Sequence, residues 1–284
     1  MTWKQWLTKA TGRLQAPDNL RAQRDAEILL GQVTGEPRTR LLAFGETVLT
    51  VAQYTQLEAL LQRRELGEPI AYLIGECEFW SMRLKVSTDT LIPRPETECV
   101  VQRVLDLLPV VTPVDILDLG TGTGAIALAL ASERPTWRIT GIDCQCGALV
   151  LAKENAIQLG LKNIQFFKSD WFQLLQGNCY NLIVSNPPYI KSNDIHLFQG
   201  DVRFEPHSAL VSGKNGLSDL MMICHQAGEH LQPGGWLVLE HGWKQGKIVR
   251  DLLSEAGFIC ITTVCDYNHN ERVSQGQWFP NFGN

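Results

Sequence analysis

Long apolar runs are absent from this chain of 284 residues. No stretch approaches the roughly 20 apolar residues of a membrane-spanning helix, and residues 1–7 lack the apolar core of a secretory signal. Internal repeats and low-complexity segments are missing as well. These absences argue against a membrane partner and predict a globular protein of the cytoplasm.

A basic surplus is also lacking. The formal net charge is −5 and the pI is about 5.7. Residues 1–95 hold 12 Lys+Arg against 11 Asp+Glu, and residues 96–284 hold 13 against 19. Because proteins that bind nucleic acids usually carry a basic surface, we expect no direct nucleic-acid binding.

Metal-binding patterns are scarce too. The eight cysteines are scattered, and the close pair Cys144 and Cys146 has no second Cys or His pair at metal-ligand spacing. We therefore expect ordinary free thiols in a reducing cytosol, and no metal site.

Residues 1–75 are predicted to form a helical domain. Apolar residues recur at helical spacing over 3–10 and again over 26–30, where Asp18 is the candidate N-cap. A further helix should begin at Thr50 and end near residue 67.

Residues 76–95 are predicted to be a β-hairpin linker. Extended runs at 79–86 and 90–92 flank Ser87-Thr88-Asp89, whose residue types favour a turn. The junction between two domains is placed here.

Residues 96–284 alternate between strand and helix patterns, which predicts an α/β domain with a mainly parallel sheet covered on both faces. Strands are expected near 114–119, 138–142, 164–167, 182–184, 236–239, 258–264 and 272–279, and helices near 96–108, 124–133, 147–159, 217–231 and 245–256. Such sheets bind ligands beyond the carboxyl ends of their strands.

A glycine-rich turn follows the first of these strands. Gly120, Thr121, Gly122, Thr123 and Gly124 lead from Asp115–Leu119 into a helix. The glycines allow a tight turn and a close approach of a ligand, and the helix start presents unpaired N–H groups. The turn predicts a site for an adenosine cofactor, with a simple strand–helix turn as the alternative.

Acidic residues end the next two strands. Asp143 lies about 20 residues after the glycines, where a carboxylate can accept hydrogen bonds from both ribose hydroxyls. Asp170 can accept from an adenine amino group, and Trp171 can flank the ring or pack in the core. A nicotinamide enzyme would use similar parts, but it has G-x-G-x-x-G spacing, whereas this chain has G-x-G-x-G.

The fourth strand ends in the loop Asn186-Pro187-Pro188-Tyr189. An amino group conjugated to a carbonyl or an aromatic ring is a poor nucleophile, and oxygen acceptors on its two N–H bonds favour the charge that develops there during methyl transfer. The Asn186 side-chain oxygen and the Pro187 carbonyl can be those acceptors, and prolines hold them rigidly. Tyr189 can pack on the acceptor or shield a sulfonium by a cation–π contact. This chemistry points to S-adenosylmethionine rather than a nicotinamide.

Together these residues resemble a known group of proteins. Asp118-Leu119-Gly120-Thr121-Gly122-Thr123-Gly124 with Asn186-Pro187-Pro188-Tyr189 is similar to the amino-directed class I methyltransferases. The resemblance narrows to the PrmC/HemK family and covers essentially the whole chain, through the stretches 91–98, 169–172, 200–206 and 240–242.

The resemblance implies a Rossmann-like class I S-adenosylmethionine-dependent domain with a mainly parallel seven-stranded sheet, behind a small N-terminal helical bundle that docks the substrate. It implies methyl transfer to the side-chain nitrogen of the glutamine in the Gly-Gly-Gln tip of class I peptide chain release factors, with S-adenosyl-L-homocysteine as product. By position, Gly120 to Gly124, Asp143 and Trp171 would line the cofactor, Asn186 would meet both ligands, and Asn186 to Tyr189 would hold the glutamine amide.

Three alternatives stay open at this stage. A sister branch methylates a glutamine of a large-subunit ribosomal protein, and it ranks second because residues 94–98 resemble the release factor branch. An adenine-N6 methyltransferase of nucleic acid would normally need a basic recognition region. A non-enzymatic cofactor-binding module would not need Asn186.

Three further side chains have no assigned role. Arg94 and Arg203 can each orient a loop or contact an incoming protein, and the sequence does not separate these roles. His241 follows a strand end and can border the pocket.

Overall fold

A computed structural model of the chain describes residues 1–14, 19–175 and 177–280. The chain folds into two compact units. The helical unit consists of Met1–Glu76 and the later segment Phe198–Phe204, and the sheet unit consists of Cys77–Leu197 and Glu205–Asn284. Within the described ranges, no helix has the length and apolar character needed to cross a membrane.

The helical unit is built from short amphipathic helices. They are α1 Trp3–Arg13, α2 Asn19–Thr34, α3 Arg38–Ala43, α4 Val51–Glu65 and α5 Ile70–Ile74. As predicted, Thr50 begins α4: its hydroxyl accepts from the Gln53 N–H, and the Gln53 side chain accepts from the Thr50 N–H. Trp6, Leu29 and Leu57 are fully buried in the core of the helical unit. Asp18, the candidate N-cap of α2, lies outside the described residues.

The segment Phe198–Phe204 is held to the helical unit by arginines. Arg64 on α4 donates to Asp25 at 2.8 Å and to Asp201 at 2.9 Å. Arg203 donates to the carbonyl of Leu66. Arg203 therefore anchors a loop, which is one of the two roles left open by the sequence.

The predicted seven-stranded, mostly parallel sheet is confirmed. Its strands are β3 Asp115–Leu119, β4 Arg138–Asp143, β5 Ile164–Lys168, β6 Tyr180–Ser185, β7 Leu231–Glu240, β8 Ile259–Cys265 and β9 Glu271–Gln277. The two strands that precede them, β1 Glu76–Phe79 and β2 Met82–Lys85, form a separate hairpin. The order across the sheet is β5-β4-β3-β6-β7-β9-β8, and only β9 pairs antiparallel to its neighbours.

Helices cover both faces of this sheet. They are α6 Glu98–Leu107, α7 Ala125–Glu133, α8 Cys146–Leu159, α9 Ser218–Ala227 and α10 Gly246–Glu255. Side chains alternate along β3, so Ile116 packs with α6, α7 and α8, while Leu117 and Leu119 pack with α9 and α10. Burial on both faces explains the continuous apolar runs of these strands.

Strand pairing brings two of the predicted loops together. β3 and β6 are parallel neighbours, with Leu119 opposite Ser185. The glycine turn that follows Leu119 and the proline loop that follows Ser185 therefore leave the same edge of the sheet side by side.

The hairpin is present and β2 lies within the predicted run 79–86, but the predicted turn at 87–89 and the predicted second strand at 90–92 were wrong. The chain reverses at Trp80 and Ser81, which have φ angles of 51° and 56°, and residues 90–92 form no strand. Tertiary contacts hold this turn, because the Trp80 N–H donates to Glu98 at 2.7 Å and its indole N–H donates to Glu133 at 2.8 Å. Neither residue type favours a positive φ, so no local signal marked the turn.

Candidate active site

A cavity of about 400 Å³ opens at the carboxyl ends of the central strands. It is lined by most of the predicted site residues, namely Gly120, Thr121, Gly122, Thr123, Asp143, Asp170, Trp171, Asn186 and Pro188. Gly124, Pro187 and Tyr189 belong to the same loops without lining the cavity. Another part of the wall comes from residues that the sequence did not mark as site residues, namely Asp89, Thr90, Leu91 and Pro93.

The glycine turn has the backbone conformation that its glycines permit. Gly120, Gly122 and Gly124 have φ angles of 70°, 56° and 85°, which side chains with a Cβ rarely adopt. A Cβ on Gly124 would also lie 2.9 Å from Leu128. Gly120 and Gly122 therefore let the backbone at the cavity wall approach a ligand closely, while Gly124 allows the turn to pack against the helix that follows.

Asp143 braces this turn and keeps spare acceptor capacity. One carboxylate oxygen accepts from the Gly122 N–H at 3.0 Å, and the other accepts from the Gln145 N–H at 2.9 Å. Burial raises the pKa of Asp143, and these backbone N–H groups oppose the rise. Since a carboxylate has about four acceptor positions, these hydrogen bonds leave acceptor capacity for a ribose hydroxyl.

Asp118 lies on β3, two residues before this turn, and the sequence assigned it no role. It is 1% exposed, and burial raises its pKa to about 7. One oxygen accepts from the Thr121 hydroxyl at 2.6 Å, and the other has no hydrogen-bond partner among the described residues. An acidic residue inside an apolar buried strand was the signal that could have marked it.

Trp171 lies against the glycine turn. Its ring is 3.7 Å from the point where a Cβ on Gly120 would lie, and its own φ is 47°. The Ser169 hydroxyl donates to the Trp171 carbonyl at 2.7 Å and holds this unusual backbone. Asp170, by contrast, is exposed and accepts only at 3.2 Å from the Gln173 side chain. The ring is therefore fixed at the cavity wall more firmly than the neighbouring carboxylate.

The side chain of Asn186 is held by its nitrogen. Nδ2 donates to Oγ1 of Thr97 at 3.3 Å. Within the described part of the chain, neither Oδ1 of Asn186 nor the carbonyl of Pro187 accepts a hydrogen bond. Two oxygen acceptors are thus available in the loop where the sequence placed them.

Tyr189 and Glu240 form a buried pair behind this loop. The Tyr189 hydroxyl donates to Oε1 of Glu240 at 3.2 Å. Burial raises the pKa of Glu240 to about 7, although Thr97, Arg272 and Tyr189 oppose the rise. Burial, and then the charge of Glu240, raise the pKa of Tyr189. The hydroxyl of Tyr189 therefore anchors the loop as a neutral donor.

The backbone of Tyr189 is fixed as well. Gln245 donates from Nε2 to the carbonyls of Tyr189 and Gly216, both at 3.1 Å, and its Oε1 accepts from the Gly242 N–H at 2.7 Å. One amide side chain therefore ties the end of the proline loop to two neighbouring loops.

Arg94 and His241 are structural. Arg94 donates to the buried carboxylate of Glu205, which also accepts from the Ile92 N–H at 3.0 Å, so Arg94 orients a loop. His241 is fully buried, and its Nε2 lies 2.8 Å from the hydroxyl of Ser274. His241, whose role the sequence left open, does not line the cavity.

The fold and this cavity define a Rossmann-like methyltransferase. The family model described as a methyltransferase domain matches residues 113–278, and the model described as the PrmC N-terminal domain matches residues 5–75. The chain belongs to the release factor glutamine methyltransferase family, and the resemblance that the motifs predicted is confirmed.

Similarity to characterised relatives extends over nearly the whole chain. It is 53% identical to the release factor glutamine methyltransferase of Salmonella typhimurium, over 99% of this chain and 100% of that protein. It is 54% identical to the protein of the same description from Escherichia coli (strain K12), over 98% and 100%. The hMettl16 catalytic domain, solved with a MAT2A 3'UTR hairpin, is 17% identical with a TM-score of 0.57 over 82% of this chain and 84% of that one, and it shows a shared fold alone.

Proposed function

We propose that this chain methylates the side-chain amide nitrogen of the glutamine in the Gly-Gly-Gln motif of class I peptide chain release factors. The observation that carries the proposal is the pair of available oxygens on Asn186 and Pro187, beside a cavity suited to an adenosine cofactor. The family's relatives are described as release factor glutamine methyltransferases, which supports the same substrate.

The cavity fits S-adenosylmethionine by its donors and acceptors. Asp143 would accept from the ribose hydroxyls, Trp171 would flank the adenine with Asp170 beside it, and residues 120–124 would bring backbone close to the ligand. When bound, the cofactor supplies a methyl group whose transfer forms a C–N bond and breaks an S–C bond, with the electron pair passing to sulfur and one amide proton to solvent.

The proline loop would orient the glutamine amide. Oδ1 of Asn186 and the Pro187 carbonyl would accept hydrogen bonds from the two N–H groups of the amide. These hydrogen bonds would stabilise the positive charge that develops on the nitrogen during methyl transfer. Pro188 and the anchored Tyr189 would keep both acceptors in place, so the loop need not reorganise during the reaction.

The remaining assignments follow from the substrate. The helical unit would dock the body of the release factor, and the reaction would take place in the cytoplasm, where release factors act. We expect no membrane partner, no direct binding of nucleic acid and no metal requirement.

The direct test is a mass spectrum of a release factor after incubation with the protein and S-adenosylmethionine. We expect one added methyl group, about 14 Da, on the Gly-Gly-Gln glutamine and none on a Gly-Gly-Ala variant. A methyl group added to a ribosomal protein or to nucleic acid, with none added to the release factor, would overturn the proposal.

The role of Asn186 has its own test. Asn186→Ala should lower kcat by about 10²–10³, as expected for loss of one aligned group that stabilises developing charge, and should largely retain cofactor affinity. The matched control is Asn268→Ala, because Asn268 is exposed and only its backbone forms a hydrogen bond here. Wild-type turnover by Asn186→Ala would contradict the assignment.

A further inference from the structure

Thr97 lies where the short 3-10 helix Pro95–Thr97 runs directly into α6. Its φ of −66° and ψ of −19° are helical, and its side chain accepts no hydrogen bond from the backbone of α6. Here Oγ1 accepts from Nδ2 of Asn186 at 3.3 Å instead, and Thr97 is only 4% exposed. The hydroxyl is therefore directed to the proline loop rather than to its own helix.

A second buried group lies next to this hydroxyl. Glu240 is 1% exposed, and its Oε2 has no partner at full hydrogen-bonding distance among the described residues. Burial raises the pKa of this carboxyl to about 7, and an interaction with the Thr97 side chain opposes that rise. Above that pH the carboxyl is ionised and can only accept. The single hydroxyl hydrogen of Thr97 is then attracted towards Glu240.

This arrangement gives the hydrogen bonds a direction. Thr97 donates towards Glu240, so its oxygen is left to accept, and the Asn186 group that it can bind is the NH2. Rotating the Asn186 amide by half a turn would instead place its oxygen against the Thr97 oxygen, where neither could donate. The favoured orientation of the Asn186 amide is therefore the one in which its NH2 group faces Thr97 and Oδ1 is left available.

The orientation matters for the substrate. A substrate amide presents N–H donors, and Oδ1 of Asn186 can accept hydrogen bonds from them. The opposite rotamer of Asn186 would place its own NH2 group against the NH2 group of the substrate, and two donors cannot bond to each other. We propose that Thr97, backed by Glu240, is a positioning residue that holds the Asn186 amide with its oxygen available to the substrate. This role rests on the proposed function, since it requires an N–H donor as methyl acceptor.

The test compares Thr97→Val, which keeps the shape and removes the hydroxyl, with Thr97→Ser, which keeps the hydroxyl. At a pH above 7, where Glu240 is ionised, we expect kcat on release factor to fall about tenfold in Thr97→Val, as for loss of one hydrogen bond, with S-adenosylmethionine affinity within twofold of wild type. Thr97→Ser should restore kcat to within about twofold. KM for the release factor should change less than kcat.

A spectroscopic readout separates orientation from stability. The side-chain N–H resonances of Asn186, assigned with Asn186→Asp, should move in Thr97→Val and stay in place in Thr97→Ser. Thr97→Ala replaces the valine variant if that one does not fold.

Several outcomes would overturn this role. They are wild-type kcat in Thr97→Val, an equal loss in Thr97→Ser, unchanged Asn186 resonances, or folding only with a hydroxyl at position 97. Failure of the proposed function is a different result, because wild-type protein would then not methylate the release factor at all.

Discussion

Asp143 and Asp170 end neighbouring strands, yet the structure treats them differently. Asp143 is partly buried and accepts from two backbone N–H groups at 2.9–3.0 Å. Asp170 is exposed, with one contact at 3.2 Å. Hydrogen bonds to a fixed, partly dehydrated carboxylate are stronger than those to a mobile, hydrated one. The two residues should therefore contribute unequally to cofactor binding.

We expect Asp143→Ala to weaken S-adenosylmethionine binding by about 1.5–3 kcal/mol, since charge-assisted hydrogen bonds are lost and the Gly122 N–H loses its acceptor. Titration calorimetry of the folded variant measures this difference. Asp170→Ala is the matched comparison and should lose less than half as much. Unchanged affinity in Asp143→Ala, or a larger loss in Asp170→Ala, would count against the ribose assignment.

At the scale of elements, one buried amide joins the hairpin to the site. Asn155 on α8 is fully buried, and its Oδ1 accepts from the Lys85 N–H of β2 at 2.8 Å. Its Nδ2 donates to the carbonyls of Lys85 at 3.1 Å and of Thr123 at 3.0 Å. The same side chain thus satisfies strand β2 and the glycine turn.

Asn155→Ala should lower the free energy of unfolding by about 2–4 kcal/mol, because three backbone groups, one of them buried, lose their partner and a small cavity forms. Urea denaturation followed by circular dichroism gives the difference. The control is Gln158→Ala on the same helix, whose exposed side chain donates to the Arg83 carbonyl of β2 at 3.2 Å and should matter little. Equal losses in both variants would show that burial of the amide is not the cause.

The sequence predicted some elements of the fold and not others. β3 and β6 are short and rich in Leu, Ile and Val, and their burial on both faces is what such composition indicates. The turn at Trp80 and Ser81 has two residues at positive φ that are stabilised by contacts more than fifteen positions away. The membership of Phe198–Phe204 in the helical unit likewise depends on Arg64, far off in the chain. Such contacts leave no local pattern.

The same division applies to the cavity. Gly120, Asp143 and Asn186 were predictable as lining residues, because each follows a strand and parallel strands end at one edge. The roles of Thr97 and Glu240 could not be predicted in this way. Thr97 lies at the start of a helix rather than after a strand, and Glu240 ends a strand but does not line the cavity. Their proposed importance comes from their contacts with Asn186 and Tyr189, which only the tertiary structure shows.

At the scale of the whole molecule, two fully buried carboxyls should make stability depend on pH. Burial raises the pKa of Asp118 from 3.8 to about 7 and that of Glu240 from 4.5 to about 7. A folded-state pKa above the unfolded value means that the folded state binds the proton more tightly. The stability that each group contributes is therefore complete below about pH 4 and is lost as the pH rises through about 7.

His241 acts in the opposite direction. Burial lowers its pKa below the ordinary 6.5, so its contribution is present at higher pH and is lost on acidification. The pH profile of the wild type alone is therefore a sum of opposing terms, and a variant is needed to isolate one carboxyl.

Asp118→Asn removes one titrating group while keeping an oxygen that can accept from Thr121. Relative to wild type, the variant should become more stable by about 1 kcal/mol as the pH rises from 6 to 8, because only the wild type must then ionise a buried group. Urea denaturation of both proteins at each pH measures this change in the difference, and the His241 contribution cancels. A difference that stays constant from pH 6 to 8, or that moves in favour of the wild type, would mean that Asp118 is already ionised in the folded protein at pH 6, with its charge stabilised by the glycine turn.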